Sequence, residues 1–214
     1  MTMIRIEIDG TEAQVAPGTT VLEAVRALGG HVPTLCFDER QDPFGACRVC
    51  MVGVEGAPGP IAACMTPCRD AMKVSTSDAT ARRVAAATVE LVLSELPEPP
   101  AAHTELATVA RSFGIDGDDL RWPGEQHVRE HDERHPYLAL QQELCISCGR
   151  CVRACDEVQG AFALTATGRG LHANIAAGLD QGFRESTCVS CGACADTCPT
   201  DAITEISLLA LAER

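Results

Sequence analysis

The sequence predicts an α+β protein in which two small cysteine-rich domains are joined by a helical linker. Three observations support this fold class: strand patterns followed by a helical pattern near the N-terminus, an alanine-rich helical segment, and two four-cysteine runs near the C-terminus. The predicted boundaries are 1–77, 78–137 and 138–214. Only 3% of the residues are aromatic, so a conventional core would be thin, and we expect metal–sulfur bonds to cross-link the loops.

The first domain begins with a predicted β-hairpin and a helix. Residues 3–8 alternate apolar and polar side chains, Asp9-Gly10 is a turn dipeptide, and residues 12–15 supply the returning strand. The loop 17–20 ends in a threonine suited to an N-cap. Apolar residues then recur at helical spacing as far as Gly29-Gly30, which stop the helix.

A cysteine loop follows the helix and predicts a 2Fe-2S cluster. Strand, strand, helix and cysteine loop is the order of a β-grasp ferredoxin. The long gap between the first two cysteines resembles the 2Fe-2S domain at the start of the large iron-sulfur subunit of respiratory complex I and its relatives. That resemblance implies Cys64, rather than Cys68, as the fourth ligand, and Cys68 is expected to be a buried free thiol. The implied ligands are Cys36, Cys47, Cys50 and Cys64.

The linker is predicted to open with one long helix. Residues 78–96 are rich in alanine, Asp78 is a suitable N-cap, and the prolines of 97–100 end the segment.

A degenerate cluster site is expected after this helix. In the complex I relatives, a histidine and three cysteines bind a further 4Fe-4S cluster here. Counting from His103, this chain has Ala107, Ala110 and Asp116 at the three cysteine positions. One histidine cannot hold a cube alone, so we expect His103 to be a surface residue or a remnant of that site.

Three more histidines, His127, His131 and His135, recur at every fourth residue. On a helix they would lie on one face and could bind zinc. The charged residues between them favour instead a solvated segment that Pro136 would end.

Two four-cysteine runs near the C-terminus predict two 4Fe-4S clusters: residues 145–155 form the first run and residues 188–198, followed by Pro199, form the second. Three cysteines on one tight loop reach three corners of a cube, while the fourth points to the other cluster. Zinc ribbons also use paired cysteines, but zinc would leave two thiolates of each run unexplained. The expected ligands are Cys145, Cys148, Cys151 and Cys198 (the first set) and Cys155, Cys188, Cys191 and Cys194 (the second set).

Arginines accompany the cysteines. Arg150 and Arg153 lie in the first run, and Arg48 lies in the 2Fe-2S loop. They could stabilise the reduced, more negative state of a cluster, or they could make structural or interface ion pairs. The second role is favoured.

Charge and hydropathy exclude several functions. The formal net charge of −13 argues against nucleic acid or an anionic membrane surface as a partner. No apolar run is long enough for membrane insertion, and no signal peptide is recognised. Thirteen cysteines then indicate a reducing compartment, so we expect a cytoplasmic location.

Nearly the whole chain resembles the N-terminal iron-sulfur region of the alpha subunit of cytoplasmic NAD-dependent formate dehydrogenases that contain molybdenum or tungsten. This module is shared with complex I and with NAD-linked hydrogenases. The resemblance is carried by residues 145–165 and 185–194. It implies an electron-relay subunit, without catalytic residues of its own, between a molybdopterin-containing catalytic subunit and a flavin- and NAD-binding diaphorase subunit. Electrons would pass through the second set, the first set and then the 2Fe-2S cluster.

Two other functions remain open at this stage. An NAD-linked hydrogenase relay would use the same clusters with a different catalytic partner. A free ferredoxin-type electron carrier would have no fixed partner.

Overall fold

The computed structural model shows an α+β chain that divides into two units, each with its own sheet and core. The first unit comprises Met1–Phe37, Pro43–Leu91 and Val109–Ile115, and the second comprises Asp38–Asp42, Val92–Thr108 and Asp116–Arg214. The structure describes residues 3–115, 117, 120–125, 131–132, 135–178 and 182–206. None of the helices in these ranges is long and apolar enough to cross a membrane.

A mixed five-stranded sheet forms the frame of the first unit. Its strands are β1 (Ile4–Ile8), β2 (Thr11–Val15), β3 (Met51–Val54), β4 (Ile61–Ala62) and β5 (Met72–Ser75). In the order β2-β1-β5-β3-β4, β1 and β5 are parallel and the other neighbours are antiparallel. The predicted hairpin is therefore observed.

The hairpin turn has the geometry that its dipeptide predicts. Asp9 and Gly10 both have positive φ, 49° and 81°, as a two-residue turn that follows the twist of the strands requires. The Asp9 carboxylate also accepts hydrogen bonds from the backbone N–H and the hydroxyl of Thr76, at 2.9 and 2.6 Å. The turn is thus attached to the end of β5.

Helix α1 (Val21–Ala27) packs its apolar face into the core of the first unit. Thr20 caps it in a capping box with Glu23, and the Gly30 N–H donates to the Val25 carbonyl at 2.9 Å where the helix ends. The helix and the sheet share one core, whose members include Ile6, Ile8, Val21, Leu22, Val25, Val52 and Val74.

The linker contains two helices, α2 (Ala79–Glu95) and α3 (Glu105–Ser112). Asp78 is the N-cap of α2, as predicted: its carboxylate accepts the Ala81 N–H at 2.8 Å. Most of α2 and the end of α3 belong to the first unit, whereas Val92–Thr108 belongs to the second.

The second unit is built on a three-stranded sheet and a separate hairpin. The sheet has the order β10 (Ile203–Glu205), β7 (Leu138–Gln141), β6 (His131–Asp132), and the hairpin is β8 (Leu164–Thr167) with β9 (Asn174–Ala177). Because β7 ends just before the first run and β10 begins just after the second, their antiparallel pairing brings the start of one run to the end of the other. Short helices α4 (Arg150–Arg153) and α5 (Ala193–Asp196) lie within the runs.

Candidate iron-sulfur centres

The structure brings the four predicted 2Fe-2S ligands together. Cys36, Cys50 and Cys64 are buried and Cys47 is half-buried, and the Cys47 N–H donates to the Cys36 sulfur at 3.4 Å. The hydrogen bond from Cys64 lowers the pKa of Cys50 to about 7, while the same contact raises the pKa of Cys64. Four thiols that interact with one another in this way form a donor set suited to a 2Fe-2S cluster.

The 2Fe-2S loop needs a glycine at position 45. Gly45 has φ of 65°, and a Cβ on it would overlap the flexible side chain of Met65, which is 46% exposed. Any other residue would therefore be strained by the positive φ, and Met65 would have to move. Arg48, between Cys47 and Cys50, also has positive φ, and its side chain is exposed.

Cys68 packs in the core of the first unit. It is 3% exposed, and its N–H donates to the Thr19 carbonyl at 2.8 Å. Burial and, after it, the charge of Glu23 raise the pKa of the thiol. The structure therefore places Cys68 as a buried thiol in the hydrophobic core.

The two runs fold into the same backbone shape. Ser147 and Ser190 have positive φ, 53° and 57°, and Gly149 and Gly192 each have φ of 75°. Each serine N–H donates at 3.4 Å to the sulfur of the first cysteine of its run. Helices α4 and α5 begin directly after the two glycines. The repeated sequence pattern thus produces a repeated loop that directs backbone N–H groups at sulfur.

The first set lines one cavity. Its four cysteines share that cavity with apolar side chains that include Leu140, Ile175 and Ile203. Burial raises the pKa of Cys148 to about 12 and also raises the pKa of Cys151.

The second set lines another cavity, with Leu138, Leu164 and Phe183 among its apolar neighbours. The Ala163 N–H donates to the Cys155 sulfur at 3.2 Å. Burial raises the pKa of Cys194 to about 12, whereas Cys191 is exposed.

The donor sets fit iron-sulfur clusters. Buried thiols hold their protons at neutral pH, and a bound cation shifts that balance by binding the thiolates. Apolar walls and N–H···S hydrogen bonds are the surroundings that tune such clusters. Within the described residues, no three histidine, cysteine, aspartate or glutamate side chains are grouped as ligands of a single metal ion.

A buried charge network lies beside the first set, within the second unit. The Arg150 guanidinium, 5% exposed, donates to the Thr197 hydroxyl at 3.0 Å and to both Glu105 oxygens at 2.7 and 3.1 Å, and it lies 3.4 Å from Asp38. Thr197 in turn donates to Asp38 at 2.7 Å. Hydrogen bonds from Arg40 and Thr197 hold the pKa of Asp38 well below its usual range. We call Asp38, Arg40, Glu105, Arg150 and Thr197 the buried charge network after its buried centre, which is Asp38, Arg150 and Thr197; the Arg40 and Glu105 side chains are about half exposed.

The predicted ion pairing of the arginines is thus observed for Arg150. Arg153 donates to the backbone carbonyl of Asp42 at 2.5 Å. Asp38, Glu105 and Thr197 were not predicted as partners of Arg150, because they are distant in the chain and of residue types that are common at exposed positions. The only available sign was the arginine between two cysteines, which needs a counter-charge when it is buried.

His103 is largely exposed, and its Nε2 lies 2.6 Å from an Asp201 carboxylate oxygen. Ala107 and Ala110, at two of the positions that carry cysteines in the complex I relatives, are buried in α3. Asp116 lies outside the described residues. His103 is therefore a surface residue, as predicted, and it contacts a carboxylate.

The prediction of a solvated segment is wrong for His135, which is 3% exposed. Its Nδ1 accepts the N–H groups of Tyr137 and Leu138 at 3.1 and 3.0 Å, so its proton is assigned to Nε2, which lies 3.3 Å from the Ser190 hydroxyl. The ring also packs edge-on against Phe183. His131 lies in a strand, not a helix, and His127 lies outside the described residues. His135 is therefore buried by its apolar packing, despite the charged residues before it in sequence. Its contact with Ser190 links the ring to the loop of the second run.

Comparison with family models identifies both domains. Residues 1–79 match the 2Fe-2S iron-sulfur cluster binding domain, and residues 135–204 match the ferredoxin-like domain of NADH-quinone oxidoreductase subunit 3. The chain therefore carries a 2Fe-2S domain followed by a 4Fe-4S ferredoxin-like domain.

Similar proteins are found among subunits of redox complexes. The chain is 31% identical to the NADP-reducing hydrogenase subunit HndD of Solidesulfovibrio fructosivorans, over 96% of this chain and 36% of that protein. It is 29% identical to the NADH-ubiquinone oxidoreductase 75 kDa subunit of Reclinomonas americana, over 94% of this chain and 29% of that protein. The chain thus spans about a third of the length of these curated relatives.

A solved structure has the same fold. It is a crystal structure of an NAD+-reducing [NiFe]-hydrogenase in the H2-reduced state, with a TM-score of 0.85 and 27% sequence identity. The similarity covers 94% of this chain and 87% of the matched chain.

Proposed function

We propose that this protein is an electron-relay subunit of an NAD-linked oxidoreductase complex. The proposal starts from the 2Fe-2S domain and the 4Fe-4S ferredoxin-like domain that the chain carries. It would hold one 2Fe-2S cluster and two 4Fe-4S clusters. The relatives support this proposal, because their names place them in NAD- or NADP-linked redox enzymes. In this proposal the chain makes and breaks no substrate bonds.

The observation that carries the proposal is the convergence of cysteines from both runs. Each set lines one cavity, and each includes one cysteine from the opposite run: Cys198 in the first set and Cys155 in the second. When bound, iron-sulfur clusters take up and release single electrons. The chain's own residues would hold the thiolates, exclude water with apolar walls, and donate backbone N–H groups to the sulfurs.

An exposed apolar surface beside the second set supports this set as the point where electrons enter. Phe162 and Val189 are 68% and 63% exposed, and Val189 also lines the cavity of the second set. Phe162 follows Ala161, which also lines this cavity, and large exposed apolar side chains beside such a site are candidates for contact with a partner subunit. A catalytic subunit docked there would reach the exposed Cys191 first.

For the catalytic partner we propose a molybdopterin-containing formate dehydrogenase subunit, on the sequence resemblance of the two runs, with a flavin- and NAD-binding subunit at the other end of the relay. A second candidate is the relay of an NAD-linked hydrogenase. The similarity to the hydrogenase structure favours it.

Analysis of the metal content of the native complex, iron included, tests these proposals. We expect about ten irons per chain, from one 2Fe-2S and two 4Fe-4S clusters. Cys155→Ser should damage the second cube and leave the 2Fe-2S electron paramagnetic resonance (EPR) signal intact. Stoichiometric zinc with little iron would refute the relay function.

The other subunits of the complex distinguish the partners. Molybdenum or tungsten in the complex would support formate dehydrogenase, whereas nickel without either metal would support the hydrogenase relay. A protein isolated from native cells as a lone iron-loaded monomer would instead indicate a free carrier.

A further inference from the structure

The two runs provide an internal comparison, because their backbones match while their charges differ. Arg150 follows the glycine of the first run, and Ala193 follows the glycine of the second. The glycines have the same φ, and each is followed by a short helix. A positive charge is therefore present in one loop and absent from the corresponding place in the other.

Two features hold this charge close to the first set. Arg150 lies between Cys148 and Cys151 in sequence. Its Nε donates at 3.0 Å to the hydroxyl of Thr197, the residue before Cys198. Arg150 is 5% exposed, so solvent screens its charge weakly.

Two carboxylates, those of Glu105 and Asp38, face the Arg150 guanidinium. The Glu105 side chain is 50% exposed and is therefore partly screened by water. Asp38 is buried, but its carboxylate also accepts two hydrogen bonds from the Arg40 guanidinium, at 3.0 and 2.9 Å. The other charge difference between the runs is Arg153 against Asp196. It is more solvated, since Asp196 is 67% exposed and Arg153 half-buried.

We infer that Arg150 makes the cluster held by the first set the more easily reduced of the two 4Fe-4S clusters. This inference rests on the proposed relay function. Reduction adds one negative charge, and a buried cation stabilises the reduced form more than the oxidised form. Transfer of one electron from the second site to the first oxidises one cluster and reduces the other, with no bond made and no proton required. Arg150 would thus drive electrons from the exposed end of the relay inward.

Redox titration of the iron-loaded protein with dithionite, followed by EPR, tests the inference. The Cys155→Ser variant identifies which signal belongs to the second set. In the wild type, the first cluster should become reduced at the higher potential. In Arg150→Met, the ratio of reduced to oxidised first cluster, measured at the wild-type midpoint, should fall at least tenfold, which is about 59 mV for a one-electron couple.

Arg150→Lys separates charge from structure. Lysine keeps the charge but loses the two-pronged contact with Glu105, so a structural role would affect both variants alike. We expect the lysine variant to keep the wild-type ratio of reduced to oxidised first cluster within about threefold. This change is clearly smaller than the tenfold fall expected for Arg150→Met. An unchanged potential in Arg150→Met, or an equal shift in Arg150→Lys, would overturn the inference.

If Arg150→Met does not assemble, Glu105→Gln tests the same electrostatics from the opposite side. Removing this half-exposed negative charge should shift the first cluster to a higher potential, and no shift or a lower potential would contradict the inference. Iron content and the presence of two 4Fe-4S signals test the proposed function separately. A fully loaded protein with the two potentials in the reverse order would refute only the role of Arg150.

Discussion

Thr197→Val removes one hydroxyl from the buried charge network while it keeps the shape of the side chain. Thr197 is completely buried. Its hydroxyl accepts hydrogen bonds from Arg150 at 3.0 Å and from the side-chain amide of Gln41 at 3.4 Å, and it donates one to Asp38 at 2.7 Å. Valine can make none of these bonds, so two charged groups and one amide each lose a partner in a site with little water.

The expected loss of unfolding free energy is set mainly by the two bonds to charged groups, Arg150 and Asp38. A hydrogen bond to a charged group contributes about 1.5–3 kcal/mol. Arg150 keeps Glu105 and Asp38 keeps Arg40, so we take the lower end for each bond. The total loss of unfolding free energy is then about 3 kcal/mol, or about 150-fold in the folding equilibrium.

Loss of the cluster absorbance in guanidinium under anaerobic conditions provides the assay. Because unfolding of a metal-loaded protein is irreversible, the rate is the quantity to compare. We expect Thr197→Val to lose its clusters at least about tenfold faster, since even half of the cost falls on the unfolding step. Thr88→Val is the matched control: its hydroxyl donates to the Val84 carbonyl within α2 at a half-buried position and contacts no charged group among the described residues, so we expect a change within about twofold. Equal rates for the two variants would refute the structural role of the network.

Two further predictions concern the first unit. Gly45→Ala should lower the occupancy of the 2Fe-2S cluster, measured by its EPR signal, because alanine is strained at positive φ and its Cβ would displace Met65. The control Gly18→Ala also lies at positive φ but in open space, so it should lower the free energy of unfolding by only about 1 kcal/mol and leave the signal intact. Cys68→Ala should keep the 2Fe-2S signal and Cys64→Ala should abolish it, since only Cys64 interacts with the other cysteines of the set; loss of the signal in Cys68→Ala would show that Cys68 is a ligand.

Local elements could be predicted because their causes lie within a few residues. The Asp9-Gly10 turn, the Thr20 N-cap and the Asp78 N-cap each depend on one side chain and the backbone beside it. The failure at His135 has the opposite cause. Charged neighbours predicted solvent exposure, but the ring packs on Phe183, about fifty residues later in the chain.

The spacing of the cysteines predicted the two sets of the four-cysteine runs, because a tight loop fixes which sulfurs can meet around one centre. The 2Fe-2S set was instead predicted from the family resemblance, which favoured Cys64 over Cys68. Tertiary structure decided what surrounds these sulfurs. Position 38, the helix α3 and the two runs are distant in sequence, and only folding brings Asp38, Glu105 and Thr197 onto the Arg150 guanidinium. Loop geometry is local and is encoded in spacing, whereas the placement of the charged groups around Arg150 depends on long-range packing.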